Sequence, residues 1–327
     1  MIRIEQYRSG DKLPELSDGI YFHSGEFFHV LEKSPGIKPV MFVAYDDREE
    51  LGHMLVMLKR DMRIVPPGIF HWCSVYGDGV YSDKADVNDV LRLFMERLKK
   101  MLGFKYSFIE ARNIADPRNT YRTFSRMGFA PRNDSRIYIS LHSRAPEERL
   151  SRAYRTHIRR AMARGVTYHM ATDAKEIEQG IKLLKRYYAS KITRYFAPEK
   201  LLLGMLLDDN DQSPCARMFT VYNRDGKMIG CSICLQSGDR AYLLYHCGLR
   251  KSHHLLYPGI MSVWAAIKDT HERGISHFEF VVSGVPLNRH IGYRNFLLNF
   301  GGKQISTLRW YRTRWSWINK LLRKIYF

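Results

Sequence analysis

Short apolar runs alternate along the chain with longer segments in which apolar residues recur every three or four positions. The short runs predict β-strands and the longer segments predict amphipathic helices. In the first half the predicted strands span 39–45, 52–59, 68–75, 105–111 and 136–141, and the predicted helices span 86–102 and 119–127. This alternation predicts an α/β or α+β architecture rather than a helical bundle or a β-sandwich.

The second half repeats this order of elements with different residues. Its predicted helices span 147–163, 174–188, 259–273 and 293–300, and its predicted strands span 166–171, 217–223, 230–236, 241–246 and 277–282. We find no residue-level repeat behind the repeated order. A chain of 327 residues also exceeds the usual size of one hydrophobic core. The sequence therefore predicts two domains, 1–142 and 143–327.

Positive charge is concentrated in the second predicted domain. Residues 1–142 contain 21 Lys and Arg against 19 Asp and Glu, whereas residues 143–327 contain 31 against 14. A field of this size attracts polyanions, so tRNA, coenzyme A, nucleotide-linked precursors and anionic lipid are candidate ligands. The alternative is that the basic residues only keep the protein soluble.

The apolar runs and the cysteines bear on compartment and metal binding. No run approaches the ~20 apolar residues of a membrane span, and the N-terminal segment lacks the apolar core of a signal peptide, so we expect a cytoplasmic protein. Five cysteines are too few and too scattered for a disulfide framework. Cys231 and Cys234 stand three positions apart on a predicted strand and therefore face opposite sides, so we expect no metal site.

Three segments, in this order along the chain, resemble motifs of the GNAT superfamily. They are YRTFSRMGFAP at 121–131, YRTHIRRAMARGV at 154–166, and HFEFVVSG at 277–284 followed by YRNFLLNFGGK at 293–303. The first is similar to the end of a GNAT domain, and the second to the basic junction helix of Fem peptidyltransferases. With the repeated order of elements, they resemble FemAB-like acyltransferases, which consist of two tandem GNAT-like domains.

The resemblance implies an N-acyltransferase that moves an acyl group from acyl-CoA, such as acetyl-CoA, onto an amine. The Fem-type alternative takes aminoacyl-tRNA as donor and a cell-wall precursor or a lipid as acceptor, and lysylphosphatidylglycerol synthases are similar to it. A third alternative is a non-catalytic scaffold or membrane-surface protein that retains the fold. Neither enzymatic alternative implies a metal.

Two positions depart from the family patterns. The GNAT pyrophosphate loop is expected as Gln/Arg-x-x-Gly-x-Gly/Ala, but the corresponding segment 250–259 lacks the glycine pair. In Fem-type enzymes the last motif commonly has a lysine near the reacting carbonyl, and Leu297 occupies that position here. Arg294, one helical turn earlier, is the candidate to replace its charge.

Glu279, Tyr245 and Arg294 are the predicted catalytic residues. Glu279 interrupts an apolar strand, so it either accepts the proton of the acceptor amine or pairs with an arginine and faces outward. Tyr245, at the end of a strand, either protonates the leaving group or fills the core.

The donor's phosphates are expected at the loop between a strand and a helix, because this loop holds them in GNAT proteins. Cationic side chains can replace the missing glycine amides there, although the loop can also be merely solvated. The predicted cofactor-binding residues are Arg250, Lys251, His253, His254, Tyr257 and Gly259.

The predicted substrate-binding residues lie on the junction helix and around the same cleft. Arg152, Arg155 and Arg159 share a helix face, where their mutual repulsion calls for an anion, either a phosphate or Glu147 and Glu148. His246 and Tyr293 complete this set.

The C-terminal segment 308–327 is rich in aromatic and basic residues and has no acidic one. Such a composition suits a membrane interface or RNA, so one expectation is a peripheral contact with the inner membrane surface through it. The alternative is a final strand and helix packed on the second domain.

Overall fold

The computed structural model describes residues 2–320 except 61–70, 104–105, 107, 115–117, 190–195, 208–215, 282–290, 316 and 318. Strands β1 to β13 span Ile2–Arg8, Ile37–Asp46, Glu49–Arg60, His71–Tyr76, Val80–Tyr81, Phe108–Arg112, Ala130–Ser140, Thr167–Met170, Ala216–Tyr222, Met228–Ser237, Arg240–Gly248, His277–Phe280 and Lys303–Thr313. Helices α1 to α9 span Gly25–Glu32, Val87–Leu102, Tyr121–Arg126, Pro146–Arg149, Arg152–Ala163, Ala174–Ala189, Glu199–Leu206, Pro258–Glu272 and Ile291–Leu298. Two 3-10 helices span Tyr21–His23 and His254–Leu256.

The chain divides into two compact units. Unit 1 comprises Met1–Asp134 and Ser306–Phe327, and unit 2 comprises Ser135–Ile305. This division differs from the predicted domains at both ends, since residues 135–142 belong to the second unit and residues 306–327 to the first. No helix in the part of the chain that the structure describes is long and apolar enough to cross a membrane.

In unit 1 the strands lie in the order β1, β2, β3, β4, β6, β13. Neighbours are antiparallel except β4 and β6, which are parallel. Helix α2 buries Val90, Leu91, Phe94 and Leu98 in the core of this unit, as their spacing predicts. Asp86 begins the helix by accepting hydrogen bonds from the amides of Asn88 and Asp89.

Unit 2 has the same strand directions in the order β8, β9, β10, β11, β12, β7. Only β11 and β12 are parallel among these described pairs. Helix α8 is buried on nearly all sides in the core of unit 2. Helix α6 packs on β10 and β11, and its Gly180 leaves room for Met218 and Cys231, which a β-carbon at that position would meet at 2.3 and 3.8 Å.

The last strand of each sheet comes from an unexpected part of the sequence. Strand β7 comes directly after helix α3 of unit 1, yet its residues Ile137 to Ser140 pair with β12 of unit 2. Strand β13 follows the last helix of unit 2, yet its residues Arg309 to Thr313 pair with β6 of unit 1. The expectation that the final strand packs on the second domain is therefore wrong, because β13 completes the sheet of unit 1.

The predicted helix 147–163 is two helices, α4 and α5. Ser151 interrupts it with an extended backbone, and its side chain accepts a hydrogen bond from the amide of Tyr154 at 3.2 Å. A serine that caps a helix start competes with continuation of the preceding helix. Strand β1 and helices α1 and α7 lie where no element was predicted.

The first part of the C-terminal segment 308–327 owes its aromatic composition to its place in β13. Residues 308–313 belong to β13, and Trp310 is fully buried there. Its indole stacks on Phe124 and donates a hydrogen bond to Asn113 Oδ1 at 2.8 Å. A membrane contact through this part would require the strand to leave its sheet; Trp315 and Trp317 are exposed, and residues 321–327 lie outside the described part.

Trp310→Ala tests the role of β13 in unit 1. We expect the substitution to lower the free energy of unfolding by about 3–5 kcal/mol, because it leaves a cavity in the core and removes the partner of Asn113. The matched control is Trp317→Ala, since Trp317 is 64% exposed, and its effect should stay within about 0.5 kcal/mol. Urea unfolding followed by circular dichroism measures both, and equal losses would contradict the assignment.

Candidate functional site

The parallel strands of unit 2 are β11 and β12, and β11 extends beyond the described part of β12. Strand β11 pairs with β12 from Arg240 opposite His277 to Leu243 opposite Phe280, and the amide of Val281 extends the pairing by one hydrogen bond to Leu243. Strand β11 then continues to Gly248, while its pairing with β10 persists. Ligands of open α/β sheets bind at the carboxyl ends of parallel strands, so this end of β11 is the candidate site.

The corresponding pair in unit 1 is closed. Strands β4 and β6 pair over their full common length, from Trp72 opposite Phe108 to Tyr76 opposite Arg112. The amide of Gly77 adds a hydrogen bond to the Arg112 carbonyl at 2.7 Å. Unit 2 is favoured as the location of the site because β11 continues to Gly248 and carries His246 there, whereas β4 ends at Tyr76.

A β-bulge in β11 determines where its side chains point. Leu243 lies opposite Cys234 and Tyr245 lies opposite Ile233, so Leu244 is an extra residue on β11. The bulge shifts the alternation of side chains by one position. As a result, Leu243 and His246 face α8 and α9, whereas Tyr245 faces α6.

His246 and Tyr293 are brought together at this end of β11. The imidazole Nε2 and the Tyr293 hydroxyl are 3.0 Å apart, and the imidazole stacks on Phe296. His246 is buried, and Tyr293 and Phe296 both come from α9. A histidine and a phenol in contact can pass a proton between them, which is the chemistry that amine acylation requires.

Tyr245 lies on the other face of the sheet. Its hydroxyl accepts a hydrogen bond from the amide of Ala197 at 3.1 Å, and its ring packs against Tyr188 and Phe196. These contacts correspond to the predicted alternative in which the tyrosine fills the core.

Glu279 is held in a buried ion pair. Its carboxylate is 2.7 Å from Arg136 Nε and accepts a hydrogen bond from Nη2 of the same guanidinium at 3.0 Å. Arg240 approaches it at 3.7 Å. Burial raises the pKa of Glu279, while Arg136 and Arg240 act in the opposite direction. The predicted arginine partner is thus present, but the side chain is 3% exposed and does not face outward.

The same arrangement occurs in unit 1. Glu110 on β6 lies opposite Tyr311 on β13, and Arg309, two residues before that tyrosine, is 3.6 Å from Glu110. Glu279 likewise lies opposite Tyr138, and Arg136 precedes that tyrosine by two residues. The sequences Arg136-Ile-Tyr138 and Arg309-Trp-Tyr311 are thus a residue-level repeat that the sequence analysis missed. In unit 1, however, Glu110 accepts its hydrogen bond from Arg112 on its own strand at 2.9 Å, and Arg309 donates to Asp134. Because a charged cluster occupies the same place in both units, we favour a structural role for it.

Arg294 and Leu297 lie on α9. Arg294 is half-buried, and no hydrogen-bond partner for its Nε is found among the described residues. Leu297 is fully buried in the core of unit 2. A lysine at that position would have to be buried, which is the physical reason why this chain cannot carry the family's lysine there without repacking.

In the loop between β11 and α8, three backbone amides donate hydrogen bonds to nearby backbone carbonyls. The amides of Arg250, His253 and Leu256 donate to the carbonyls of Gly248, Leu249 and His253. Tyr257 has a positive φ of 50° and precedes Pro258, which begins α8. A backbone cradle for phosphates of the usual GNAT kind is therefore not formed by these three amides, and the exposed side chains of Arg250, Lys251 and His254 are the charged groups that the loop presents.

The start of α8 packs directly on the end of β11. A β-carbon on Gly248 would lie 2.2 Å from the Gly259 amide nitrogen, so only glycine allows this approach. A β-carbon on Gly259 itself would meet nothing within 4 Å. The positive end of the α8 dipole thus lies beside the carboxyl end of β11.

Helix α5 supports this loop. The His157 ring stacks on Tyr257 at 4.2 Å, and Arg164 donates a hydrogen bond to the Leu255 carbonyl at 2.6 Å. Burial, together with the charge of Arg160, lowers the pKa of His157. Neither His157 nor Arg164 was predicted to contribute, although both belong to the segment 154–166 that resembles the junction helix.

The predicted arginine row on α5 is exposed. Arg152, Arg155 and Arg159 lie on the helix face opposite the buried residues Tyr154, Ile158 and Ala161. Arg155 donates to the Leu150 carbonyl at 3.3 Å. Within the described part of the chain none of the three forms an ion pair, and Glu147 pairs with Lys268 instead.

The cysteines face the two sides that their spacing predicts. Cys231 contacts the Gly180 carbonyl and lies 3.5 Å from the sulfur of Cys247, whereas Cys234 lies in the core on the α8 side. Among the described residues no group of three or more His, Cys, Asp or Glu side chains is placed to hold a metal ion.

Comparison with known proteins identifies the fold. Residues 148–287 match the family model described as Acetyltransferase (GNAT) domain. FemX has 12% sequence identity and a TM-score of 0.66, with 95% of each chain covered. L-PGS from Bacillus licheniformis has 11% identity and a TM-score of 0.57, covering 96% of this chain and 99% of that one.

A tandem GNAT protein from the clavulanic acid biosynthesis pathway has 11% identity and a TM-score of 0.52, covering 96% and 98% of the two chains. No curated protein matches the sequence. The chain therefore has the tandem GNAT fold of FemAB-like proteins, and at the level of class it is an acyltransferase.

Arg136→Met tests the structural role of the Glu279 ion pair. We expect a loss of about 3–5 kcal/mol at neutral pH, because a buried carboxylate is left without its cation. Without Arg136, burial raises the pKa of Glu279 further. Protonation of Glu279 then removes the unpaired charge, so the loss of unfolding free energy relative to wild type should shrink as the pH falls from 8 to 5. Arg240→Met, at the more distant arginine, should cost less. Thermal unfolding across this pH range measures both; a deficit independent of pH would contradict the assignment.

Proposed function

We propose that the chain is an N-acyltransferase that moves an acyl group from a phosphate-bearing donor onto an amine, at the carboxyl end of β11 in unit 2. The carrying observation is the contact of the buried His246 with Tyr293 at the carboxyl end of β11, beside the start of α8. The adjacent helix start and the basic loop favour phosphate.

His246 and Tyr293 are the groups that we assign to proton transfer. The amine nitrogen attacks the acyl carbonyl, a C–N bond forms, and the bond from that carbon to the leaving sulfur or oxygen breaks. The amine must lose one proton and the leaving atom gains one. His246 accepts the first and Tyr293 delivers the second, which their 3.0 Å contact permits without a change of fold.

The donor's phosphates are assigned to side chains of the loop. Arg250, Lys251 and His254 are exposed there, and the amides of Arg250, His253 and Leu256 are engaged within the loop itself. Cationic side chains bind phosphate oxygens by charge-assisted hydrogen bonds. An acyl-CoA donor, which GNAT domains typically bind, is the first candidate, and Glu279 then acts by holding β7 against β12 rather than as a base.

His246→Gln and Tyr293→Phe test the proton-transfer assignment. With acetyl-CoA and a panel of amines, we expect each variant to lower kcat by about 100-fold or more, because each removes a proton carrier. Coenzyme A release, followed with a thiol reagent, measures the rate. His142→Gln replaces an exposed histidine of the same unit and should leave the rate unchanged. Full activity of both site variants would overturn the assignment.

Aminoacyl-tRNA is the second candidate donor, and the α5 arginine row favours it. Arg152, Arg155 and Arg159 form an exposed cationic face that carries no ion pairs within the described residues and extends the charge beyond the loop. Coenzyme A requires no such extension. FemX and L-PGS have the same fold over nearly the whole chain. A cell-wall precursor or a lipid amine is the acceptor in this version.

Binding at varied salt concentration separates the two donors. If tRNA is the donor, replacing the three α5 arginines by alanine should reduce the magnitude of the negative slope of log affinity against log salt by about 2–3. Each phosphate contact contributes ~0.7–0.9 to that slope. The control is Lys84→Ala with Arg92→Ala and Arg48→Ala in unit 1. If acyl-CoA is the donor, the α5 variant keeps its affinity for coenzyme A, whereas Arg250→Ala with Lys251→Ala weakens it about tenfold.

A further inference from the structure

Unit 1 contains a small cavity at the end of α2, away from the residues that the proposed transfer uses. Its volume is about 150 Å³, and it lies between the last turn of α2 and the strands β6 and β13. A water molecule occupies about 30 Å³, so the cavity has room for about five waters or for one phosphate-sized anion.

Three cationic side chains surround this cavity. Lys99 extends from the last turn of α2, and Arg312 and Arg314 extend from β13 and the residues after it. No carboxylate lines the cavity among the described residues. Glu96, the nearest acid along α2, is paired with Arg92 at 3.3 Å. Lys99 and Arg312 therefore place positive charge beside a half-open cavity whose described lining contains no carboxylate.

The like charges of Lys99 and Arg312 repel each other at this cavity. Burial lowers the pKa of each, and for Lys99 the charge of Arg312 adds to that effect. The Met127 carbonyl accepts a hydrogen bond from one nitrogen of Arg312. A guanidinium has five N–H groups, so this contact leaves several of them for another acceptor.

The remaining wall is apolar or neutral. Leu102 and Ile109 supply apolar surface, and Tyr106 and Phe108 supply aromatic surface. An anion bound against such a wall is partly desolvated, and cations in fixed positions then attract it more strongly than they would in water. The arrangement thus favours a compact anion with several acceptor oxygens over a single carboxylate.

We propose that this cavity is an anion-binding site for phosphate, either as free phosphate or as the phosphate group of a small phosphomonoester. The anion bridges Lys99 on α2 and Arg312 on β13. Since β13 supplies the last strand of unit 1, occupancy ties that strand to a helix encoded more than 200 positions earlier. The site is independent of the proposed acyl transfer, because all of its residues belong to unit 1.

Inorganic phosphate and methyl phosphate are the probes for this site. At constant ionic strength we expect phosphate to raise the Tm of the full chain above its value in chloride, because a ligand of the native state stabilises it by mass action. Titration calorimetry with each probe gives the affinity. Tighter binding of methyl phosphate indicates a phosphomonoester as the ligand, and tighter binding of phosphate indicates the free ion.

Lys99→Met and Arg312→Met should each weaken phosphate binding about tenfold or more, because each removes a charge-assisted hydrogen bond. Lys100→Met is the matched control, since Lys100 is the exposed neighbour on the same helix. Arg250→Ala with Lys251→Ala should also leave this binding unchanged, which separates the site from the loop of unit 2. Equal weakening by Lys99→Met and Lys100→Met, or no preference for phosphate over chloride, would overturn the proposal.

Discussion

A carboxylate paired with arginine lies on the inner parallel strand of each unit. Glu279 in unit 2 is buried and Glu110 in unit 1 is partly buried, and a buried carboxylate without a cation is strongly destabilising. In unit 2 Arg136, two residues before the facing Tyr138, supplies the charge. In unit 1 Glu110 accepts a hydrogen bond from Arg112 on its own strand, and Arg309 of β13 is 3.6 Å away. If β7 slipped by one residue, Arg136 would turn to the other face of the sheet. The ion pair of Glu279 therefore fixes the register of β7, whose partner strand lies far along the sequence.

The two units share this constraint but differ where chemistry can occur. In unit 1 the parallel strands pair to their ends, while in unit 2 β11 continues five residues beyond Leu243. The bulge at Leu244 then directs His246 toward α9, where Tyr293 meets it. If Leu244 were instead paired in regular alternation, His246 would face α6, away from Tyr293. The bulge thus sets the face of His246 and brings together the pair to which we assign proton transfer.

Local sequence signals predicted most of the elements and fewer of their ends. Helix α2 was predicted within one residue, because its apolar spacing and its Asp86 cap agree. The helix over 147–163 was predicted as one element, because its periodicity outweighed the capping signal of Ser151. Among the site residues, His246 and Tyr293 were predicted and are in contact, whereas Arg136 was missed since its partner Glu279 lies 143 positions away. Tyr245 was chosen by its strand position alone, which cannot give the face after a bulge. Glu279 was chosen because it interrupts an apolar strand, and a charge on an apolar strand does not reveal which arginine meets it.

The sequence alone determined the α/β class, the repeated order of elements, the resemblance to tandem GNAT proteins and the unequal distribution of charge. These properties depend on composition and on residues close together in the chain. Only the tertiary structure decided which strand completes which sheet, which helix residue meets His246, and which side of the sheet each residue of β11 faces. These depend on pairings between residues far apart in sequence, and a buried ion pair or a one-residue bulge leaves little local pattern from which to infer them.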